Sequence, residues 1–237
     1  IDVIAAKKRN IVVTNTPDVL TDATAEIAIL ILLGAARRAK EGIDWVNKKN
    51  WKWTANFLMG KQLSDSRLGI LGMGRIGRAV AERAKSFGMK IHYHNRTRLN
   101  KDLEKGAIYH DSLKSLLSVS DFFSINCPAT KETKNLINDE TIKYFPDGAV
   151  ISNSARGDMI NDDAMVKALK SGKIFSLGLD VYNGEPDIHP DYLKLPNVFI
   201  LPHLGSSTIK TRTAMGDLAV KNIEEFFKTG KCRNKVN

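Results

Sequence analysis

Three residues in the second half of the chain have side chains that could hold an anion and move a proton: Arg156, Glu185 and His203. Each follows a short apolar run. Arg156 lies in Ser152-Asn153-Ser154-Ala155-Arg156-Gly157-Asp158, Glu185 in Asp180-Val181-Tyr182-Asn183-Gly184-Glu185-Pro186, and His203 in Leu201-Pro202-His203-Leu204-Gly205. A guanidinium meets a carboxylate with paired N–H donors. A glutamate that reaches a histidine orients the imidazole and favours its protonated form. Together they would form an anion clamp beside a general acid/base. Plainer readings stand beside this one: a surface salt bridge for Arg156, a solvated loop acid for Glu185, a partly buried imidazole for His203. His92, His94, His110 and His189 have no comparable setting, and no His, Cys or Asp spacing suggests a metal site.

A second constellation would hold a cofactor. The apolar run Leu68 to Leu71 feeds Gly72-Met73-Gly74-Arg75-Ile76-Gly77, and Arg78 to Gly88 then reads as a helix closed by glycine. In such a strand, turn and helix Gly72 permits the turn, Gly74 admits a pyrophosphate to the backbone, and Gly77 lets helix and strand pack closely. Arg75 and Ile76, within the glycine loop, are also expected to meet the cofactor, whose phosphates would sit at the helix N-terminus, which favours an anion. About 20 residues on, a NAD-selective site carries Asp or Glu for the ribose hydroxyl. This chain has Asn95-Arg96-Thr97-Arg98, which would accept a 2′-phosphate that a carboxylate would repel. NADP(H) is therefore expected over NAD(H); the alternative is that these are exposed loop cations.

The elements that must position these groups alternate. Strands are expected at Lys90 to His94, Ala107 to Tyr109, Phe122 to Ile125, Gly148 to Ser152, Ile174 to Leu179 and Val198 to Leu201. Helices are expected at Leu113 to Val119, Asp139 to Phe145, Asp162 to Ser171 and Ser206 to Lys228. This alternation predicts an α/β fold, a doubly wound parallel sheet of Rossmann type whose ligand crevice lies beyond the carboxyl ends of the strands. Upstream, a helix at Ile4 to Lys8 and a strand at Ile11 to Val13 read as the end of a preceding unit, with Pro17 marking the crossing. A long helix from Asp22, with Ile27, Leu30, Ile31 and Gly34 on one side, and another from Glu41 to Asn50 follow. Residues 1–16 are thus expected to be a remnant of a substrate domain, 17–205 the NAD(P)-binding domain, and 206–237 a helix returning to the substrate domain.

Composition narrows the class. The formal charge of +10 invites an anionic partner, but its Lys and Arg residues are scattered without an aromatic platform or recognition helix, so no specific nucleic-acid partner is expected. Two cysteines build no disulfide framework, and no signal peptide opens the chain, so a cytoplasmic location is expected. The apolar run Ile27 to Ala36 is too short for a bilayer span of about 20 residues.

Taken in order, Leu20 to Glu26, Gly72 to Gly77, Asn153 to Gly157, Gly178 to Val181 with Glu185-Pro186, and Pro202 to Gly205 resemble the D-isomer-specific 2-hydroxyacid dehydrogenases, and within them the glyoxylate and hydroxypyruvate reductase branch. The resemblance runs the length of the chain. It implies an enzyme that reduces small 2-keto acids to D-2-hydroxy acids with NADPH, in which Arg156 binds the substrate carboxylate, His203 is the acid/base and Glu185 its partner. It also implies that Asp180 lies near the nicotinamide carboxamide, and that Cys127, Pro128, Ser154 and Gly205 line the cofactor. Trp53 matches a tryptophan that in this branch reaches across a homodimer interface into the partner's active site. The family's first substrate-domain segment has no counterpart before Ile1, so the chain is expected to bind cofactor with little turnover alone. A non-catalytic NAD(P)-sensing corepressor module, which shares the fold, is the alternative.

Overall fold

Apolar runs that end in polar or glycine-rich turns become the strands of one sheet. The computed structural model describes residues 1–49 and 51–237. Its elements begin with α1 (Val3–Lys8), α2 (Thr21–Ala36), α3 (Ala39–Lys48), β1 (Arg67–Leu71), α4 (Arg75–Ser86), β2 (Lys90–His94), α5 (Lys101–Glu104), β3 (Ile108–Tyr109), α6 (Leu113–Leu117) and β4 (Phe122–Ile125). They continue with α7 (Asp139–Ile142), β5 (Ala149–Asn153), a 3-10 turn at Gly157–Met159, α8 (Asp162–Ser171), β6 (Ile174–Leu179), α9 (Pro190–Lys194), β7 (Val198–Ile200) and α10 (Ile209–Thr229).

The seven strands lie in the order β3-β2-β1-β4-β5-β6-β7, every pair parallel. The chain winds outward from β1 to β3, then crosses back to place β4 against the other edge of β1. That reversal between β1 and β4 is the place where a doubly wound sheet holds its ligand, beyond the carboxyl ends of the strands.

β4 and β5 are buried at every position, as a sheet covered on both faces requires. Alternation sends Phe122 and Val150 into one core with Leu68, Ile70, Val80 and Leu32, and Phe123 and Ile151 into the other with Leu177, Leu179 and Met165. Each buried phenylalanine contributes roughly 1.5–3 kcal/mol.

The chain divides into two compact units, one of residues 24–205 and one of residues 1–23 with 206–237. The larger holds the whole sheet. In the smaller, Asn222 Nδ2 donates to the Asn15 carbonyl at 3.0 Å, and the Val236 N–H to the Val13 carbonyl at 2.9 Å. The expected strand at Ile11 to Val13 does not form. Only an isolated bridge, Thr14 to Lys235, marks the place, because no partner strand of any length lies beside it.

The buried side of α2 meets expectation at Ile31 and Gly34 and departs from it at Ile27 and Leu30. Ala25, Ala28, Ile29, Ile31, Leu32, Ala35 and Ala36 are buried while Leu30 is 46% exposed and Ile27 half-buried. Small residues share the packing with Ile29, Ile31 and Leu32: Gly34 sits so tightly on the Phe199 ring that a Cβ would lie 2.6 Å from it. α3 ends at Lys48, and its expected last residue, Asn50, lies outside the described residues. The short helices α5 and α9 have too few turns to show a period. Among the described residues no helix is long and apolar enough to cross a membrane.

Candidate active site

The three glycines after β1 occupy three different environments. Gly72 has φ +91°, and a Cβ there would lie 2.5 Å from the Cys127 nitrogen, so both backbone conformation and neighbour exclude a side chain. At Gly77 a Cβ would meet the Gly72 carbonyl oxygen at 2.2 Å, which ties the start of α4 to the end of β1. Gly74 has no protein atom within 4 Å of where a Cβ would stand, and no side chain caps the helix it precedes. A 12-residue helix with no side-chain cap and open space beside Gly74 suits a phosphate group, so the residues present fit a dinucleotide. Arg75 and Ile76 form its first turn, Arg75 exposed and Ile76 packed on the core.

The neighbouring strand ends close around this loop. Asn95, after β2, accepts the Met73 N–H on Oδ1 at 2.6 Å, and the Gly72 N–H donates to the His94 carbonyl at 3.0 Å. Arg96 and Thr97 are exposed. Arg98 is not available in the same way, because Glu104 accepts Arg98 Nε at 2.7 Å and Nη2 at 3.2 Å. After β4, Cys127 packs beside Gly72 with Sγ 3.6 Å from Met159 Sδ, and Pro128 is exposed. Burial pushes the Cys127 thiol up to about 11, so it stays neutral and is not a nucleophile.

Farther along the sheet the loops after β5, β6 and β7 bring the chemical groups together. Asn153, the last residue of β5, accepts the Ala155 N–H at 3.0 Å and donates to the Arg156 carbonyl at 2.8 Å, fixing the turn that holds half-buried Ser154 and exposed Arg156. Gly157 makes the turn fit: a Cβ there would lie 1.9 Å from the Tyr182 carbonyl carbon. The Arg156 turn is thereby pressed on the loop that carries Glu185.

Glu185 Oε1 accepts the Tyr182 N–H at 2.9 Å and Oε2 lies 2.7 Å from His203 Nδ1. Partial burial pushes the Glu185 carboxyl up, but His203, the Tyr182 N–H and the charge of Arg156 outweigh it and hold the group below its ordinary value. His203 itself has φ +56°, a left-handed conformation rare for a residue with a side chain. Asp180, fully buried at the end of β6, accounts for it by accepting the Leu204 N–H at 2.7 Å and the Gly205 N–H at 2.8 Å. Burial raises the Asp180 carboxyl above its usual range against the pull of those two donors.

Tyr182 did not stand out in the sequence as a site residue, yet it holds this loop at two points, since its hydroxyl also donates to the Leu201 carbonyl at 2.5 Å. Its place three residues before Glu185 was the available signal. Asn153 and Glu104 were likewise not singled out; each acts through neighbours and not on the crevice.

Arg156 makes no direct hydrogen bond to Glu185 or His203; its Nη1 donates to the Ala155 carbonyl at 2.6 Å. The arrangement is thus an exposed arginine on a turn packed against the loop of a Glu–His pair, at the far end of the same row of strand termini as the glycine loop.

Comparison with known proteins agrees with this geometry. Residues 29–205 match the family described as D-isomer specific 2-hydroxyacid dehydrogenase, NAD binding domain. The chain is 45% identical over 230 residues to a glycerate dehydrogenase from Hyphomicrobium methylovorum, covering 96% of this chain and 71% of that protein. It is 44% identical over 243 residues to a glyoxylate reductase from Thermococcus litoralis, covering all of this chain and 73% of that protein. Among solved structures, the NADPH-dependent glyoxylate/hydroxypyruvate reductase of Sinorhizobium meliloti, in complex with NADP and malonate, superposes with TM-score 0.92 at 36% identity, over all of this chain and 73% of that one. The chain belongs to the D-isomer-specific 2-hydroxyacid dehydrogenases, oxidoreductases built on a Rossmann domain that takes a nicotinamide cofactor.

Proposed function

We propose that the protein reduces small 2-keto acids of the glyoxylate and hydroxypyruvate type to D-2-hydroxy acids, with NADPH favoured over NADH. The observation that carries the reading is the 2.7 Å pairing of Glu185 Oε2 with His203 Nδ1 in loops adjoining Arg156. With Nδ1 held by the carboxylate, Nε2 is the nitrogen that faces substrate. Arg156 binds the substrate carboxylate with its forked donors and stabilises negative charge gathering on the keto oxygen. Protonated His203 gives its Nε2 proton to that oxygen, and Glu185 keeps the ring oriented and compensates its charge. Bound nicotinamide supplies the hydride to C2. The products are the hydroxy acid and oxidised cofactor, and in the reverse direction neutral His203 takes the alcohol proton.

Gly72, Gly74, Arg75, Ile76 and Gly77 cradle the pyrophosphate at the start of α4, and Asn95, Arg96 and Thr97 receive the 2′-phosphate. Cys127, Pro128, Ser154, Asp180 and Gly205 line the remainder of the cofactor path. Support for the NADPH preference comes from the absence of any carboxylate in the run Asn95 to Arg98 and from exposed Arg96. The names borne by the relatives, glyoxylate reductase and glycerate dehydrogenase, point to the same pair of short acids. We assign residues 17–205 to cofactor binding and the flanking segments to a substrate domain. We also infer a homodimer, for which the support is an exposed apolar surface: Trp53 is 80% exposed, Val46 60% and Ile43 57%.

The test is NADPH absorbance in the whole protein with glyoxylate and with hydroxypyruvate. Consumption with either is expected. Tight cofactor binding without consumption of NADPH by either acid would favour a sensing role and overturn the reductase reading.

A further inference from the structure

The short helix α5 carries a buried acid that the reaction does not use. Glu104 is 7% exposed. Its Oε1 accepts the Tyr93 hydroxyl at 2.6 Å as well as Arg98 Nε at 2.7 Å. The Tyr93 oxygen in turn accepts the Leu99 N–H at 3.1 Å. Arg98 lies over the Tyr109 ring, 5.5 Å from its centroid, and the Tyr109 hydroxyl donates to the Asn95 carbonyl at 3.4 Å. The turn after β2 is thus fastened at Asn95 by Tyr109 and at Leu99 by Tyr93, while its middle residues, Arg96 and Thr97, stand exposed.

We propose that Glu104 is a positioning residue for coenzyme discrimination, fixing the turn 95–99 and withdrawing Arg98 so that Arg96 meets the 2′-phosphate. The inference rests on the NADPH reading above.

Three physical points support it. Arg98 already spends two donors on a carboxylate, and a phosphate approaching it would meet the Glu104 charge behind it. With that charge compensated, the net positive charge of the turn is that of Arg96, which stands exposed at its middle. A turn fastened at both ends loses less freedom when a ligand binds, so fixing it favours association. Tyr93 holds its proton throughout neutral pH, because burial and the Glu104 carboxylate push it up to about 12. Its donation to Glu104 is therefore constant under working conditions.

The experiment compares NADPH and NADH affinity in wild type, Glu104→Gln, Arg98→Ala, their double variant and Arg96→Ala. Glu104→Gln and Arg98→Ala should each weaken NADPH about 10-fold, with NADH unchanged within about twofold, and the double variant should be no weaker than either single change. If Arg98 grips the phosphate directly, Glu104→Gln leaves NADPH binding intact or tighter while Arg98→Ala alone loosens it, and the inference is overturned. Equal weakening of both coenzymes would mark a merely structural role and overturn it too. Equal wild-type affinity for the two coenzymes removes the NADPH reading and this inference with it. A wild-type preference lost in Arg96→Ala but kept in Glu104→Gln overturns the inference alone. Should Glu104→Gln not fold, Tyr93→Phe, which removes the Leu99 acceptor without changing charge, is read in the same way.

Discussion

Glu185 Oε2 reaches His203 Nδ1 at 2.7 Å although the two residues leave from different strand ends. What brings them together is the parallel register of β6 and β7, in which Leu179 stands beside Ile200, so that both loops open at the same edge of the sheet. The pairing engages Nδ1 and leaves Nε2 as the nitrogen that the carboxylate does not hold. It also requires an ionised acid, and the Glu185 carboxyl is held below its ordinary value of 4.5 despite partial burial. Stability from this group is therefore present above that value and lost only as the pH falls through the depressed one.

Replacing Glu185 by Gln keeps an acceptor for the Tyr182 N–H and removes the charge that supports the imidazolium. The turnover number with NADPH and glyoxylate should fall about 100-fold, within the usual range for general acid/base groups, with cofactor affinity unchanged. An undiminished turnover number in Glu185→Gln would show that the pair is structural.

The glycines give a sharper contrast because two substitutions of equal size should act on different quantities. Gly74→Ala adds a methyl where no protein atom lies within 4 Å, at φ −72°, which any residue adopts. Thermal stability should hold, while cofactor affinity falls about 10-fold or more as the methyl takes the space a pyrophosphate needs. Gly77→Ala instead drives a Cβ to 2.2 Å from the Gly72 carbonyl oxygen and should cost about 1–3 kcal/mol of stability by denaturant unfolding. A stable Gly74→Ala with wild-type affinity would mean that the cofactor does not pass this point.

Gly157→Ala tests the link between the two halves of the candidate site. A Cβ there would overlap the Tyr182 backbone at 1.9 Å and push the Arg156 turn from the Glu185 loop. We expect a loss of about 1–3 kcal/mol in unfolding free energy, together with a raised KM for the keto acid as Arg156 is displaced. Unchanged KM in a folded variant would separate Arg156 from substrate binding.

How much of this was legible depended on burial on both faces. β4, β6 and α8 begin and end where the residue pattern puts them, because Phe122 to Ile125 and Ile174 to Leu179 are mostly apolar runs, broken only by Ser124, Ser176 and Gly178, with polar stops, and Asn161 and Gly172 cap the helix. The side of α2 that packs was legible only in part, since Ile31 and Gly34 are buried as expected but alanines fill much of the rest while Leu30 points out. Periodicity counts large apolar residues and passes over small ones. The run Asn95 to Arg98 showed a lack of carboxylate but could not tell Arg96 from Arg98. That distinction depends on Glu104, on a helix of four residues that carries no periodic signal. The left-handed His203 was equally hidden, because it follows from Asp180 holding Leu204 and Gly205 across 24 and 25 residues of sequence.

The last prediction concerns acid. His92 Nδ1 and His110 Nε2 are 2.9 Å apart, and a second contact joins His110 Nδ1 to the Ser115 hydroxyl at 2.7 Å. A hydrogen bond between two imidazoles needs one bare nitrogen, so charging both rings breaks it. Burial holds His92 below its ordinary 6.5, assisted by His110, Arg67 and Lys90 against Asp121. Burial lowers His110 as well, with His94 adding to it and Asp111 opposing. A histidine depressed in the folded state binds its proton first in the unfolded chain. Its contribution is therefore complete above about 6.5 and declines as the pH falls below that value. Asp121, held below 3.8 by Arg67, acts only at lower pH, while Asp162 and Asp180, raised by burial, work in the opposite direction. The difference between wild type and His92→Gln isolates the pair from these. Melting temperatures taken from pH 7.5 to 5 should fall more steeply in wild type than in His92→Gln, and parallel curves for the two proteins would show that the imidazole pair carries no acid sensitivity.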